Sequence, residues 1–197
     1  MPKKVVVIAS GETERRSLPY LLSHLKAEGI HVADVRIPPR NKALDVGMAE
    51  RLIKASWFED IADPPNKFVI LVDTDGKSPA DILRPFRERL PQQLGRGIKA
   101  QLQFAYAKWH LEAWYFADIS GLRHYLDRAP GGIDPSKPDE IENPKLHLKH
   151  LLSDRAYTAV VSEEIARMID PLVVAQRSES FNGFLQAVRN GTIETND

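Results

Sequence analysis

The first half of the sequence alternates between strand-like and helix-like segments, and this alternation constrains the fold more than any other feature. Short runs rich in β-branched and aromatic residues predict four strands, at residues 5–9, 32–37, 68–72 and 98–104. Apolar residues at helical spacing separate these runs, with a break predicted in the third helix near Pro85. The pattern predicts an α/β fold in which helices flank a mostly parallel four-stranded sheet.

The second half of the chain predicts helices rather than strands. Residues 110–126 favour one or two helices with a break at Gly121, and the proline-rich segment 127–144 predicts a loop or a hinge. Amphipathic stretches then predict three helices, near residues 146–152, 165–169 and 181–188. We therefore expect an α/β domain over residues 1–126, with the loop and the C-terminal helices of residues 127–197 packed on the same domain.

Composition excludes several classes of function. Lys and Arg together number 27, and so do Asp and Glu, so no net charge draws the whole chain toward nucleic acid or a membrane. The absence of cysteine excludes disulfides, thiolate metal sites and a cysteine nucleophile, and it is consistent with a cytoplasmic protein. No apolar run approaches the ~20 residues of a membrane span, and the N-terminal "MPKKVVVIASGE" is interpreted as a first strand rather than a signal peptide.

Two aspartates follow the most apolar predicted strand. If the strand continues through them, Asp73 and Asp75 share one face, about 6–7 Å apart. The carboxyl ends of parallel strands face the crevice where ligands bind, and two carboxylates there repel each other unless a cation neutralises them. The pattern favours a Mg²⁺ or Mn²⁺ site with Asp73 and Asp75 as ligands. The alternative is that Asp75 and Gly76 form only a tight turn.

Two glutamates are candidates to complete this cluster. Glu14 lies in the first turn of a predicted helix after strand one, and a central first strand would direct it into the same crevice as a further metal ligand. The alternative is that Glu14 only stabilises the helix N-terminus through the helix dipole. Glu112 stands amid Trp109, Trp114 and Phe116, where it is either a solvent-facing position of an amphipathic helix or a functional carboxylate.

Basic residues near the same predicted edge are candidates to bind an anionic substrate. Arg36, Arg40 and Lys42 lie in or next to a proline-rich loop after the second strand, and Arg15 lies in the first helix. Such cations give affinity for phosphates without sequence information, although each one singly is typical of any protein surface. The lysines and histidines of residues 145–150 predict a solvated helix face, and the sequence contains neither a Ser-His-Asp arrangement nor a P-loop.

Several segments resemble a known family when they are taken in order: "SGETERRSLPYLL", "LVDTDG", "HLEAWYFAD", "IENPKLHLKHLL" and "IDPLVVAQRSESFNGFL". They resemble the bacterial family catalogued as domain of unknown function 4276, which looks like a member of the Toprim-like group of topoisomerase, primase and overcoming-lysogenization-defect nuclease domains. That group has a Glu-Gly turn after strand one, often a second Glu soon after it, and Asp-x-Asp after strand three. The resemblance implies a Toprim-like, Rossmann-like sheet with Asp73, Asp75, Glu14 and, on a later helix, Glu112 as catalytic acids.

One position departs from the pattern of that group. Ser10 stands before Gly11, where the group has its first glutamate, and a hydroxyl cannot supply that negative charge. Either Glu12 or Glu14 takes the place of the missing carboxylate, or the site binds one metal ion rather than two, or catalysis has been lost. The departure leaves the predicted fold intact and weakens the prediction of activity.

The acidic pattern and the resemblance together predict a Mg²⁺- or Mn²⁺-dependent nuclease that cleaves phosphodiester bonds of nucleic acid. The resemblance also implies a partner ATPase in bacterial defence or DNA maintenance, so a catalytically degenerate partner subunit is the second expectation. A phosphatase with Asp73 as its nucleophile is the third. The proline-rich segment and the amphipathic C-terminal helices favour a homodimer.

Overall fold

The computed structural model describes residues 3–126, 130–152 and 155–189. Its strands are β1 (Lys3–Ile8), β2 (Ile30–Arg36), β3 (Lys67–Asp73) and β4 (Gln101–Ala107). They form one parallel sheet in the order β2-β1-β3-β4, so β1 and β3 are its central strands. The predicted α/β fold with a four-stranded parallel sheet is confirmed.

Helices cover both faces of this sheet. They are α1 (Glu12–Leu21), α2 (Val46–Glu59), α3 (Pro79–Leu94), α4 (Glu112–Tyr115), α5 (Ile119–Tyr125), α6 (Pro144–Leu151), α7 (Ala159–Ala166), α8 (Pro171–Arg177) and α9 (Glu179–Arg189). One core lies between the sheet and α2 and α3, and the other lies between the sheet, α1 and the helices that follow β4. The C-terminal helices therefore share a core with the sheet.

The central strands alternate between these two cores. Val5 and Val7 of β1 face the core with α1, whereas Val6 and Ile8 face the core with α2 and α3. All of β3 before Asp73 is buried, as expected for a central strand of a parallel sheet that is covered on both faces. Packing thus fixes the point at which each strand leaves the sheet, and this point determines where the candidate site residues lie.

The predicted break in α3 is wrong. The helix runs through Pro85 without interruption, although proline cannot donate the hydrogen bond that a helix interior requires. Leu83, Phe86 and Leu90 on the same helix are buried in the core beside the sheet. Burial of these three side chains offsets the missing hydrogen bond.

Boundaries after α3 also differ from those predicted. β4 begins at Gln101 rather than at residue 98, because the Gln101 N–H donates to the Asn66 carbonyl at 3.0 Å and sets the register with β3. Gly121 lies inside α5 instead of breaking it, since the Asp118 carboxylate accepts from the Gly121 N–H at 3.0 Å and caps the helix. Within residues 155–189 there are three helices rather than two, because α8 starts as a separate helix at Pro171.

A buried lysine lies at the amino edge of the sheet. Lys67, the first residue of β3, is fully buried, and its Nζ donates to the carbonyl oxygens of Ala187 at 2.9 Å and Val188 at 3.1 Å. These carbonyls belong to the last turn of α9, where a cation interacts favourably with the helix dipole. Burial, followed by the nearby Lys3, lowers the pKa of Lys67 to about 7. Lys67 therefore ties α9 to the sheet.

The predicted domain boundaries include residues 1–2, 127–129, 153–154 and 190–197, which lie outside the described residues. In the part of the chain that is described, no helix is both long enough and apolar enough to cross a membrane.

Candidate functional site

The turn between β1 and α1 buries a glutamate at the carboxyl edge of the sheet. After Ile8 the chain turns at Ser10 and Gly11, and α1 begins at the next residue. Glu14 lies on the inner side of the first helical turn and is only 6% exposed. Its Oε2 lies 3.5 Å from the position that a Cβ atom would occupy at Gly11. The carboxyl group is therefore held against the turn that leaves the central strand.

β3 ends at Asp73, and the turn that follows is tied to the end of β4. Asp73 lies opposite Ala107 in the ladder, and the Thr74 N–H donates to the Ala107 carbonyl at 3.0 Å. Asp75 has a φ of +50°, so it belongs to a turn rather than to the strand. The predicted alternation of Asp73 and Asp75 along one strand is therefore wrong, because the strand stops before Asp75.

The turn after β3 packs against the segment that follows β4. The Asp75 side chain is 62% exposed, and its Oδ1 lies 2.9 Å from His110 Nε2. Gly76 has a φ of +75°, and a Cβ atom at this position would lie 2.5 Å from the Trp109 ring. Gly76 is therefore required both by the backbone conformation and by the close approach of the indole.

Glu112 is buried at the start of α4 and contacts two residues from the C-terminal part of the chain. It is only 1% exposed, and the Tyr157 hydroxyl donates to its Oε1 at 2.8 Å. Lys145 Nζ lies 3.7 Å from the same oxygen and 6.0 Å from the centroid of the Tyr157 ring. The predicted solvated face is confirmed for His147, Lys149 and His150, which are exposed, whereas Lys145 is half-buried because α6 packs against α4.

The acids influence one another electrostatically. Burial, together with the charge of Glu112, raises the pKa of Glu14 to about 7, against the opposing effects of hydrogen bonds from the Glu14 and Gly11 backbone and of the Lys145 charge. Burial also raises the pKa of Asp73 well above its ordinary value, with added repulsion from Glu14, Glu112 and Asp75 in that order. Lys145 opposes this shift as well. One lysine thus partly offsets a cluster of carboxyl groups that come from separate segments.

A set of buried hydroxyl groups lies behind the acids. Ser162 Oγ of α7 lies 2.7 Å from the Tyr115 hydroxyl and 2.9 Å from Ser17 Oγ. Tyr115 is one helical turn after Glu112 in α4, and Ser17 is one turn after Glu14 in α1. These hydrogen bonds fix α1 and α4 against α7, and they thereby hold the two glutamates in position.

The acids do not form a ready-made metal site in the described part of the chain. Within residues 3–126, 130–152 and 155–189, no three histidine, aspartate or glutamate side chains are grouped closely enough to hold a metal ion. An ion bound by Glu14, Asp73 and Asp75 would therefore require these side chains to rotate toward one another.

The predicted substrate-binding cations fall into two groups. Arg15 and Arg36 already form ion pairs with neighbouring carboxylates. Arg40 and Lys42 are exposed, and neither is paired with a carboxylate among the described residues. Both line a cavity of about 420 Å³ at the carboxyl edge of the sheet.

Sequence analysis missed two residues of this site, Lys145 and Tyr157. Lys145 is the second residue of α6, and Tyr157 lies in the connection before α7. The sequence signal for Lys145 was the segment "IENPKLHLKHLL", in which Pro144 starts a helix immediately before it. Local sequence does not predict that this helix packs on α4, because that contact joins segments far apart in the chain.

The fold and the acidic cluster together define a class of protein, namely a parallel α/β protein with buried carboxyl groups at the carboxyl edge of its sheet. Within this class, the chain belongs to the family described as a domain of unknown function (DUF4276), whose model matches residues 11–189. The matched range includes all four candidate acids. No curated protein and no solved structure matches the chain.

Proposed function

We propose that this protein is a Toprim-like nuclease that uses Mg²⁺ or Mn²⁺ to cleave phosphodiester bonds of nucleic acid. The observation that carries the proposal is that Glu14, Asp73 and Glu112 come from three separate segments and lie within electrostatic reach of one another. They do so at the carboxyl edge of a parallel sheet, where α/β proteins bind their ligands. Buried carboxyl groups that repel one another are costly, and such groups concentrate at functional sites.

The chemistry of these donors fits a hard divalent cation. Carboxylate oxygens are the ligands that Mg²⁺ prefers in proteins, and a divalent cation would relieve the repulsion that Lys145 offsets only in part. Asp73, Asp75 and Glu14 are the proposed ligands, and they reach the ion by side-chain rotation. When bound, the ion would polarise the scissile phosphate and lower the pKa of an attacking water.

Other residues of the site have roles that follow from their contacts. The Tyr157 hydroxyl holds the Glu112 carboxylate in one orientation, so Glu112 completes the acidic cluster from a fixed position. Lys145 places a positive charge next to Glu112, where it would stabilise negative charge that develops on the phosphate. Arg40 and Lys42 would bind the backbone of the substrate from the adjacent cavity.

The test is cleavage of labelled single-stranded DNA, duplex DNA and single-stranded RNA in Mg²⁺, in Mn²⁺ and in EDTA. We expect cleavage with a divalent ion and none in EDTA. Asp73→Asn and Glu14→Gln should each lower the rate by about 10²- to 10⁴-fold. Glu142→Gln, which neutralises an exposed carboxylate outside the cluster, should leave the rate unchanged. A folded protein that cleaves none of these substrates in either ion contradicts the proposal.

A catalytically degenerate partner subunit of an ATPase is the second candidate function. Two observations favour it: Ser10 stands where the Toprim-like group has its first glutamate, and no three acids of the described residues are grouped for a metal ion. In this case the sheet is a scaffold, and nucleic acid is handled by the complex. Absence of both cleavage and stabilisation by divalent ions would favour this candidate over the nuclease.

A further inference from the structure

A cleft of about 420 Å³ opens beside the acidic cluster. Its walls are residues 10–12, in the turn from β1 into α1, and residues 37–42, in the loop after β2. Both segments leave the carboxyl ends of neighbouring parallel strands, so the cleft lies on the same edge of the sheet as the acids. Glu14 Oε2 lies 3.5 Å from the Cβ position of Gly11, so Gly11, which lines the cleft, also lies next to the carboxyl group of Glu14.

The two walls of the cleft differ in chemistry. Ile37, Pro38 and Pro39 present an apolar surface, and Arg40 and Lys42 follow directly as two exposed cations. Neither cation is paired with a carboxylate in the described ranges, so both charges are available to a ligand.

The opposite wall adds little negative charge. Ser10 is neutral, and the Glu12 carboxylate is offset by Arg15 Nη2 at 2.6 Å and Arg16 Nε at 3.1 Å. The cleft therefore suits a ligand that has both an apolar flat part and a negative charge.

We propose that this cleft binds one unstacked nucleotide of a single-stranded nucleic acid, with the base against Ile37–Pro39 and the flanking phosphates on Arg40 and Lys42. The volume falls near the lower end of the range for small-molecule sites, which suits one nucleotide and is too small for a duplex. Unpaired bases can leave the stack and enter such pockets, whereas paired bases cannot do so without cost. The inference rests on the proposed function in taking a polynucleotide as the ligand, and it names single strands as the substrate class.

The test is fluorescence anisotropy in EDTA with a short labelled oligothymidylate, the matching oligouridylate and a hairpin duplex of equal length. We expect either single strand to bind at least about tenfold more tightly than the duplex. The double variant Arg40→Ala/Lys42→Ala should weaken single-strand binding at least about tenfold. It should also make the dependence of log K on log salt shallower by about 1.4, because two phosphate contacts are lost. The matched control Arg87→Ala/Arg89→Ala removes the same charge from exposed positions of α3 and should leave binding within about twofold.

Several results would overturn the inference. They are equal losses in the two double variants, duplex binding as tight as single-strand binding, no binding of any strand, or free thymidine monophosphate competing as strongly as the oligomer. Because binding is measured without divalent ions, it is independent of catalysis. Strand binding that depends on Arg40 and Lys42, without cleavage under any condition, would refute the nuclease alone. Cleavage with binding that ignores these two residues would refute the nucleotide cleft alone.

Discussion

β3 begins with a buried lysine and ends with a half-buried aspartate, and the surroundings of the two charged groups differ. At the amino edge, Lys67 donates to two carbonyl oxygens of α9, so hydrogen-bond acceptors contact its ammonium group, although burial and the nearby Lys3 lower its pKa. At the carboxyl edge, Asp73 is surrounded by Glu14, Glu112 and Asp75, all of which raise its pKa. The same strand therefore begins where carbonyl acceptors contact its charged group and ends where like charges accumulate.

This difference separates a structural charge from a functional one. The Lys67 contacts link the sheet to α9, so they stabilise the folded chain whether or not a ligand is bound. The carboxyl groups at the other end lower the stability of the fold when they ionise, and under the proposed function a bound cation would offset this cost. Substitutions at the two ends should therefore change stability in opposite directions.

The largest effect is expected at the amino edge. Lys67→Ala leaves a cavity and removes a donor from the carbonyls at the end of α9, so it should lower the free energy of unfolding by about 3–5 kcal/mol. Chemical denaturation at about pH 10 measures this loss, because at neutral pH the lowered pKa of Lys67 makes its ionisation offset part of it. Lys99→Ala, at an exposed position before β4, is the control and should change stability by less than about 0.5 kcal/mol. Similar small effects for both variants would mean that Lys67 is not a structural charge.

The next effect has the opposite sign and concerns Glu14. A pKa raised from 4.5 to about 7 corresponds to roughly 3 kcal/mol of destabilisation once the group is ionised. Glu14→Gln keeps an acceptor of similar shape, so it should raise the free energy of unfolding by about that amount at pH 8 and change it little at pH 4. Glu12→Gln is the control, because the pKa of Glu12 is lowered by its hydrogen bond with Arg15 and its loss should not stabilise the fold. A destabilised Glu14→Gln protein at pH 8 would remove the contrast between the two ends.

The two ends should also give opposite slopes of stability against pH. The raised pKa of Glu14 means that the folded state holds more protons than the unfolded state between pH 4.5 and about 7, so its contribution to stability falls as pH rises through this window. The pKa of Lys67 is lowered from 10.5 to about 7, so the unfolded state holds more protons above pH 7 and stability rises there.

Together these two groups predict a minimum of stability near pH 7, deeper than the flanks by about 2 kcal/mol. Denaturation at intervals of pH measures the curve. Glu14→Gln should flatten the acid side, and Lys67→Met should flatten the alkaline side. Parallel curves for the wild type and both variants would show that neither group titrates as described.

The smallest effect is expected at the Tyr157 hydroxyl. Tyr157→Phe removes the donor to the buried Glu112 carboxylate and should cost about 1–2 kcal/mol, because hydrogen bonds to buried charged groups are stronger than average. Tyr125→Phe is a matched control, since the Tyr125 hydroxyl donates at 2.7 Å to an exposed carboxylate of Glu164. It should cost less than about 0.5 kcal/mol. Equal costs would indicate that the contact with Glu112 has no special strength.

The sequence predicted the fold because its strongest signals are local. Fully apolar runs such as residues 68–72 predict strands covered on both faces, and the intervening helical periodicity requires parallel connections. The position of Glu14 near the end of β3 followed from the central place of strand one. Boundaries were less accurate, since the start of β4 depends on the hydrogen bond between Gln101 and Asn66, two distant segments.

The site was predictable only in part for the same reason. The acids Asp73 and Glu14 stand at strand ends, where topology gives their location. Lys145 and Tyr157 reach Glu112 only because the helices after residue 143 fold back over α4, and no periodicity in the sequence encodes that return. Asp75 was placed on the strand by alternation, whereas the backbone turns at this residue.

The most direct test of the account is the response of stability to Mn²⁺ at pH 8, measured by thermal unfolding or by calorimetry. We expect wild-type protein to gain about 2.7 kcal/mol when the ion is present at a hundred times its Kd. Asp73→Asn should abolish this gain, and Glu142→Gln should retain it. A gain of equal size in Asp73→Asn, or no gain in the wild type, would contradict the claim that these carboxyl groups gather to bind a divalent ion.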